Sequence, residues 1–324
     1  MNNQISIDEF IEKLVKGLQD HYKEGYSVRS SIVQKNNSTI RHGIIVAKDG
    51  EMISPSIYVD AMYGEYLEGE PLACILRRFI AIRDVNQLHN DMDMSFIDDY
   101  EQVKGKLGIK IINKDMNKDI LKDVPYIDYA DLAVVFLVLV EGEEIGSGSI
   151  LIKNRQMKIW GVDADTLYED AVTQMAYRFP AYLRGMLELL EEIYIEENGN
   201  VNTDELRNAL MAPARENMNE INNKNLQMYV LTNKAKWFGA SAIVYPDMLE
   251  HLADEMGGAY YLIPSSIHEV IIIPKVKGDA GGECLSRLVK EVNATQLQRE
   301  EILSDHAYEY IPDEKRLLPL EASA

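Results

Sequence analysis

The amino-acid sequence predicts an α+β fold, made mostly of antiparallel sheets built from β-β-α units with flanking helices. Two observations carry this prediction. The period of the apolar residues changes repeatedly between the helical and the strand value, and two strand-like segments followed by a helix occur three times. No identity at a fixed period links the three occurrences, so the prediction is of similar units rather than of a sequence repeat. Consecutive strands with helices beside them favour antiparallel pairing.

The first unit is predicted from a helix, a hairpin and a second helix. The start "SIDEFIEKLVKGL" contains a capping-box pair followed by apolar residues at helical spacing, which predicts a helix to about residue 21. The segments "YSVRSSIVQK" and "STIRHGIIVAK" flank Asn36 and Asn37, which tolerate the left-handed turn conformation, so these segments are predicted to form a hairpin. A further helix is expected in "LACILRRFIAIRDVNQL".

The second unit is predicted from the most apolar part of the chain. After an acidic helical segment near residues 95–105 and a short strand "LGIKII", the segments "ADLAVVFLVLV" and "SGSILIKN" surround a glycine turn and predict a hairpin. A helix is expected in "TLYEDAVTQMAYRF", which stops at Pro180, and a last one in "AYLRGMLELLEEIYI".

A polar segment is predicted to separate two regions of the chain. Residues 197–225 are rich in Asn and have no sustained apolar period, so they are expected to form a linker or excursion. It divides an N-terminal α+β region (1–196) from a C-terminal α+β region (226–324). In the latter, "LQMYVLTN", "GASAIVY", "AYYLI" and "HEVIIIP" are predicted strands, and "DMLEHLADEM" and "GECLSRLVKEV" are predicted helices.

Composition restricts the kinds of partner. The 53 acidic and 33 basic residues give a formal charge of -20, which opposes binding to nucleic acid or to an anionic membrane surface. Two distant cysteines supply no disulfide framework and no CxxC motif. The first residues are acidic where a signal peptide is basic, and the longest apolar run is far shorter than the ~20 residues of a membrane span. We therefore expect a cytoplasmic protein.

The usual catalytic and cofactor motifs are missing or incomplete. There is no phosphate-binding GxxxxGK[ST] loop, and Ser241 in "GASAI" has only half of the GxSxG motif. No two of the six histidines have the spacing of a metal-binding pair, and His251 with Glu255 is most simply a surface pair on one helix face. The sequence therefore predicts no cofactor and no metal site.

One stretch, "IPSSIHEVIIIP" at 263–274, most resembles a catalytic site. Ser265 or Ser266 could be a nucleophile with His268 as its base and Glu269 orienting the imidazole. In a strand, however, Glu269 points away from the face that Ser266 and His268 share. The structural alternative is favoured: Pro264 ends the preceding strand, the serines are turn residues, and a core strand covered on both faces follows.

The sequence also contains candidates for a binding surface. Tyr58, Tyr63 and Tyr66 form a group in "IYVDAMYGEY", and tyrosines are large, stiff and able to hydrogen-bond at one end. Asn233, at the end of "MYVLTN", is a further binding candidate. The alternative for the tyrosines is a place at the edge of the core.

Several segments together resemble a known family. "ISPSIYVDAMYGEYLEGE", "MYVLTN", "GASAIVYPDMLEHLADEMGG" and "YYLIPSSIHEVIIIP" are similar to an uncharacterised bacterial family catalogued as domain of unknown function 5688. The resemblance extends from the first hairpin to the tail "LSDHAYEYIPDEK". It implies a cytoplasmic bacterial protein that folds as one unit, and it implies no activity, cofactor or catalytic residue.

Two functions remain compatible with the sequence. The first is a non-enzymatic binding or adaptor protein, whose sheet edges and tyrosine-bearing surfaces engage another protein; the failed catalytic templates favour it. The second is a hydrolase that uses Ser265 or Ser266 with His268. The environment of His268 distinguishes them, because a catalytic base needs an open cleft and a hydroxyl within ~3.2 Å.

Overall fold

The computed structural model describes residues 5–50, 56–87, 95–142, 146–198, 228–276 and 282–320, and it confirms the α+β fold. Its α-helices are α1 (Ile7–Tyr22), α2 (Asp60–Leu67), α3 (Leu72–Gln87), α4 (Tyr100–Lys104), α5 (Lys118–Leu121), α6 (Asn154–Trp160), α7 (Ala164–Arg178), α8 (Met186–Asn198), α9 (Met248–Met256) and α10 (Gly282–Thr295). None of these helices is both long and apolar enough to cross a bilayer.

Thirteen strands are described, and the pairings among the first six and among the last six are antiparallel. The strands are β1 (Tyr26–Gln34), β2 (Ile40–Lys48), β3 (Ser56–Tyr58), β4 (Leu107–Asn113), β5 (Tyr126–Tyr129), β6 (Leu132–Gly142), β7 (Gly146–Leu151), β8 (Ala181–Gly185), β9 (Tyr229–Asn233), β10 (Tyr260–Ser266), β11 (Glu269–Pro274), β12 (Tyr308–Ile311) and β13 (Arg316–Pro319).

The chain divides into two compact units. The first comprises Met1–Ile97 with Val140–Gly148, and the second comprises Asp98–Leu139 with Ser149–Ala324. The predicted regions 1–196 and 226–324 are linked within the second unit, where β8 pairs with β9 across the predicted linker. Apart from the end of α8, that linker (197–225) lies outside the described residues.

The first unit contains a three-stranded sheet in the order β1-β2-β3. Ser6 caps α1 by accepting a hydrogen bond from the Glu9 N–H, as the capping-box pattern predicts. The apolar face of α1 and the inner face of the sheet enclose one core, which contains Phe10, Leu14 and Ile44. Side chains of β2 alternate between this core and the opposite face, so the sequence pattern of this hairpin corresponds to its fold.

The second unit contains a six-stranded sheet in the order β13-β12-β10-β11-β9-β8. A further sheet has the order β4-β6-β5, with β7 also pairing with β6. The hairpin of β10 and β11 is apolar on both faces: Val270 and Ile272 are fully buried, and Ile263 packs with Val289 of α10. The near-continuous apolar run of this hairpin is therefore explained by burial on both faces.

Three local predictions are wrong. Gly239–Val244 is a 3₁₀-helix rather than a strand, and its small residues are buried. Ala181–Gly185 is strand β8 rather than the start of a helix, because it pairs with β9. Pro264 does not end β10, which continues to Ser266, so Ser265 and Ser266 are strand residues rather than turn residues. In the second case the pairing partner lies far along the chain, beyond the reach of a local apolar period.

Candidate functional site

The hairpin of β10 and β11 brings His268 to one end of the six-stranded sheet. Ser266 pairs with Glu269, so Ile267 and His268 form the turn between the strands. The register shifts between Pro264 and Ser266, which leaves Ser265 in a bulge. The backbone N–H of Ile267 donates to the carbonyl of Glu301 (3.0 Å), and this bond ties the turn to the segment before β12.

His268 is held by backbone groups. Its Nδ1 accepts a hydrogen bond from the N–H of Phe238 (3.3 Å), so the ring proton is on Nε2. Its carbonyl accepts from the Thr232 hydroxyl (2.8 Å). Burial lowers the pKa of His268 below its ordinary value, and the nearby Lys110 lowers it further. Three groups raise the pKa of His268 without reversing this shift: the Glu301 carboxylate, a hydrogen bond to the Lys236 backbone, and the Glu269 carboxylate.

The loop after β9 closes on the buried side chain of Asn233. Its Oδ1 accepts from the Trp237 N–H (3.2 Å), and its Nδ2 donates to the Trp237 carbonyl (2.8 Å). Lys236 and Phe238 both have left-handed backbone, with φ of 52° and 50°. Such conformations are uncommon for side chains of this size and persist where the surrounding contacts enforce them. Here the two Asn233 bonds fix the turn between β9 and the 3₁₀-helix.

Gly239 lets this loop approach the turn at His268. A Cβ at this position would lie 2.1 Å from the Thr232 hydroxyl oxygen and 2.4 Å from the His268 carbonyl oxygen. Only a residue without a side chain fits there. Gly239 therefore allows the Phe238 N–H to reach the imidazole of His268.

These contacts produce a row of four half-buried rings, which we call the aromatic ladder: Phe179, Trp237, Phe238 and His268. Phe179 meets Trp237 edge-on, with ring centroids 5.9 Å apart. Trp237 stacks on Phe238 (5.3 Å), and Phe238 stacks on His268 (5.9 Å) with the planes 11° apart. Rings in offset or edge-to-face contact stabilise one another, so the ladder is a rigid surface.

Two cations lie on the ladder. The Lys110 ammonium is 5.2 Å from the centre of the Phe238 ring, and the Arg178 guanidinium is 5.5 Å from that of Phe179. Both distances are within the range of cation–π attraction. The combination offers flat apolar surface, hydrogen-bonding groups and positive charge together, which are the components of a protein-recognition surface.

The predicted catalytic residues do not form a relay. The Ser266 hydroxyl accepts from the backbone N–H of His268 (3.0 Å), and the Ser265 hydroxyl donates to Glu269 (3.2 Å). Among the described residues, neither serine hydroxyl bonds to the imidazole, and Nδ1 is already occupied by the backbone. The serines thus hold the bulge and the turn together. Of the predicted site residues, Ser265, Ser266, His268 and Glu269 lie together at this turn, and Asn233 holds the neighbouring loop that carries Trp237 and Phe238.

The three predicted binding tyrosines all lie in the first unit. The Tyr63 hydroxyl donates to the Ile5 carbonyl (2.8 Å). The rings of Tyr63 and Tyr66 both pack on Phe10, so both residues lie at the edge of the core. Tyr58 is 37% exposed, and the Lys35 ammonium lies 4.7 Å from the centre of its ring.

Sequence reasoning missed a polar cluster around Asp131. Its carboxylate accepts from the Tyr308 hydroxyl (2.8 Å) and lies 3.0 Å from the His306 Nε2. Burial raises the pKa of Asp131, but the nearby His306 imidazole and the Tyr308 hydroxyl outweigh burial and bring it below the ordinary value. His306 and Tyr308 are close in sequence, whereas Asp131 is far from both, so no local spacing could have revealed the cluster.

Sequence reasoning also missed how the second unit uses its tyrosines. Three hydroxyls donate to consecutive parts of one segment: Tyr129 to the Ile243 carbonyl (3.2 Å), Tyr168 to that of Val244 (3.4 Å) and Tyr260 to that of Leu249 (3.2 Å). Tyr310 stacks on Tyr260 (5.1 Å), but its buried hydroxyl has no hydrogen-bond partner among the described residues. Tyr129, Tyr168 and Tyr260 therefore hold the 3₁₀-helix and the start of α9.

A metal site is not evident in the described part of the chain, where no group of three or more His, Cys, Asp or Glu side chains is arranged to hold an ion. The model of a family described as "Family of unknown function (DUF5688)" matches residues 7–311. No curated protein and no solved structure matches this chain.

Proposed function

Because this chain belongs to a protein family of unknown function (DUF5688), we propose a role from the site itself: a binding or adaptor protein that recognises another protein through the aromatic ladder. The observation that carries the proposal is the row of half-buried rings mounted on a loop with left-handed backbone at Lys236 and Phe238. Unusual backbone that persists in a structure is commonly associated with function.

The composition of the ladder supports a protein ligand. Aromatic and Arg side chains carry much of the binding energy of protein interfaces, and they act best where neighbouring groups hold them rigid. Trp237 is stacked on one side and contacted edge-on at the other, so little conformational entropy remains to be lost on binding. Lys110 and Arg178 place cationic groups on the rings of Phe238 and Phe179, which suits a partner segment with carboxylates beside its apolar groups.

The hydrolase alternative has less support. A catalytic imidazole needs a free nitrogen close to the nucleophile, whereas Nδ1 of His268 accepts a backbone N–H and the serine hydroxyls are bonded elsewhere.

Site-specific crosslinking tests the proposal. A photo-crosslinking amino acid replaces Trp237 in the source cells, and a control replaces Tyr177, which is 83% exposed and outside the ladder. We expect one protein to be crosslinked reproducibly from position 237 and not from position 177. Recovery of the same proteins from both positions would contradict the proposal.

Affinity measurements with the purified partner complete the test. By calorimetry, Trp237→Ala is expected to weaken binding at least about tenfold, Trp237→Phe to retain most of it, and Tyr177→Ala to change it less than about twofold. Circular dichroism verifies that each variant is folded. Equal affinities of a folded Trp237→Ala variant and the unchanged protein would overturn the proposal.

A further inference from the structure

The outer edge of β1 offers a second binding surface, in the first unit. β1 has nine residues and pairs with β2 in an unbroken register from Tyr26 with Lys48 to Gln34 with Ile40. It ends its sheet, and no described strand pairs with its other side. It contains no proline and no bulge, which are two of the features that prevent an exposed edge from pairing with another chain.

The other edges of the described sheets are shorter or covered. β3, β5, β8 and β13 have only three to five residues each, and β7, which pairs with β6, has six. β4 has seven, but nearly all of them are buried and the Ile111 N–H donates to the Ser241 hydroxyl (3.2 Å). Among these described edges, β1 is therefore the long and uncovered one.

The charge of this hairpin differs from that of the whole chain. Residues 26–48 contain no acidic residue, although the chain carries a formal charge of -20. The same stretch contains Arg29, Lys35, Arg41 and Lys48. Arg29 lies on β1 itself and is exposed, so its charge acts on an incoming strand at short range, where screening is weak.

The two faces of β1 differ in chemistry. Val28 faces the core, and by strand alternation Ile32 is on the same face, yet Ile32 is 73% exposed. Arg29 is on the opposite face, exposed and without an ion pair to any described residue. A strand added to this edge would therefore need apolar side chains beside Ile32 and carboxylates beside Arg29.

We propose that the outer edge of β1 binds an extended segment of a partner protein in which apolar and acidic residues alternate. Backbone hydrogen bonds between the strands supply affinity, and the alternating side chains supply selectivity. A second copy of the chain fits less well, because its own β1 has no acidic residue: antiparallel self-pairing about Ser30 would place Arg29 opposite Ser31. This edge and the ladder consist of different residues, in different units of the chain, so either proposal can fail without the other.

A labelled peptide tests this proposal. The probe is a fluorescein-labelled nine-residue peptide of alternating Val and Glu, and its binding to the full chain is followed by fluorescence anisotropy. Two matched peptides serve as controls: one has Lys in place of Glu, and the other has N-methylated backbone amides. We expect saturable binding of the Val/Glu peptide that weakens as salt is added, and no comparable binding of either control.

Charge-reversal variants locate the binding. Arg29→Glu should weaken binding of the Val/Glu peptide by about fivefold or more, because it replaces attraction by repulsion. Arg287→Glu, the same change at an exposed position of α10, should leave it within about twofold. The proposal is overturned if the Arg29→Glu variant binds the Val/Glu peptide as tightly as the unchanged protein does, or if no binding of this peptide occurs up to about millimolar protein. It is also overturned if the Lys peptide or the N-methylated peptide binds the unchanged protein as tightly as the Val/Glu peptide. Sedimentation that reveals a dimer disrupted by Arg29→Glu would assign the edge to a second copy instead.

Discussion

The backbone N–H of Phe238 donates to Nδ1 of His268, and the rings of these two residues stack with their planes 11° apart. Protonation of Nδ1 would remove the acceptor and place a charge in a half-buried position next to Lys110. The loop that carries the aromatic ladder is therefore linked to the ionisation state of one imidazole.

We expect His268 to make the protein less stable in mild acid. Its pKa in the folded state is below the ordinary 6.5, so just below that pH the unfolded chain binds more protons than the folded one. The stability that the neutral imidazole contributes is fully present above about pH 6.5 and is lost as the pH falls towards and through the folded-state pKa. Urea unfolding at several pH values between about 5 and 7.5 measures it.

His268→Asn provides the comparison, because an amide oxygen can still accept the Phe238 N–H but does not titrate in this range. Between about pH 6.5 and 5, the free energy of unfolding should fall less steeply for this variant than for the unchanged protein. Parallel pH profiles would show that His268 titrates normally in the folded state.

Gly239→Ala is expected to destabilise the protein by about 2 kcal/mol or more, because the new methyl group would overlap the Thr232 hydroxyl and the His268 carbonyl. Gly105→Ala is the matched control in the same unit: its Cβ would meet nothing within 4 Å, and its φ of -70° is accessible to alanine. The control should change the free energy of unfolding by less than about 1 kcal/mol. Similar urea midpoints for the two variants would show that the loop can move to admit a methyl group.

Tyr129→Phe and Tyr310→Phe should differ, although both remove one hydroxyl. The Tyr129 hydroxyl donates to the Ile243 carbonyl, so its loss should cost about 1 kcal/mol. The buried Tyr310 hydroxyl has no described partner, so Tyr310→Phe should be neutral or stabilising by up to about 1 kcal/mol. Urea unfolding compares them. An equal loss in both variants would show that Tyr310 does have a hydrogen-bond partner.

The sequence predicted the fold class and those elements whose apolar period is local. The hairpin of β1 and β2 and the helices α1, α3 and α7 could be derived because alternation or helical spacing reflects burial within one element. Gly239–Val244 could not, because "GASAIV" has the small and β-branched residues of a buried strand, while its 3₁₀ form depends on contacts with β9 and with the turn at His268.

The candidate site could be predicted only in part. His268 and Asn233 stood out by residue type and position, but the aromatic ladder joins residues from 179 to 268, and Lys110 comes from β4. Trp237, Phe238 and His268 meet because β9 and β11 are neighbours in one sheet, whereas Phe179 and Lys110 come from outside this pair of strands. All of these contacts depend on how distant parts of the chain pack rather than on local composition. The cluster of Asp131 with His306 and Tyr308 was missed for the same reason.

The pairing of β8 with β9 has a consequence for how the chain can vary. The chain leaves the six-stranded sheet after Gly185 and returns to it at Tyr229, and at this point the Met186 N–H donates to the Met228 carbonyl (2.8 Å). The two ends of the intervening excursion thus stand side by side, as they would across an ordinary hairpin turn. Segments of different length can be exchanged between such ends at a small entropic cost, so evolution or protein engineering could replace this part while the sheet keeps its register.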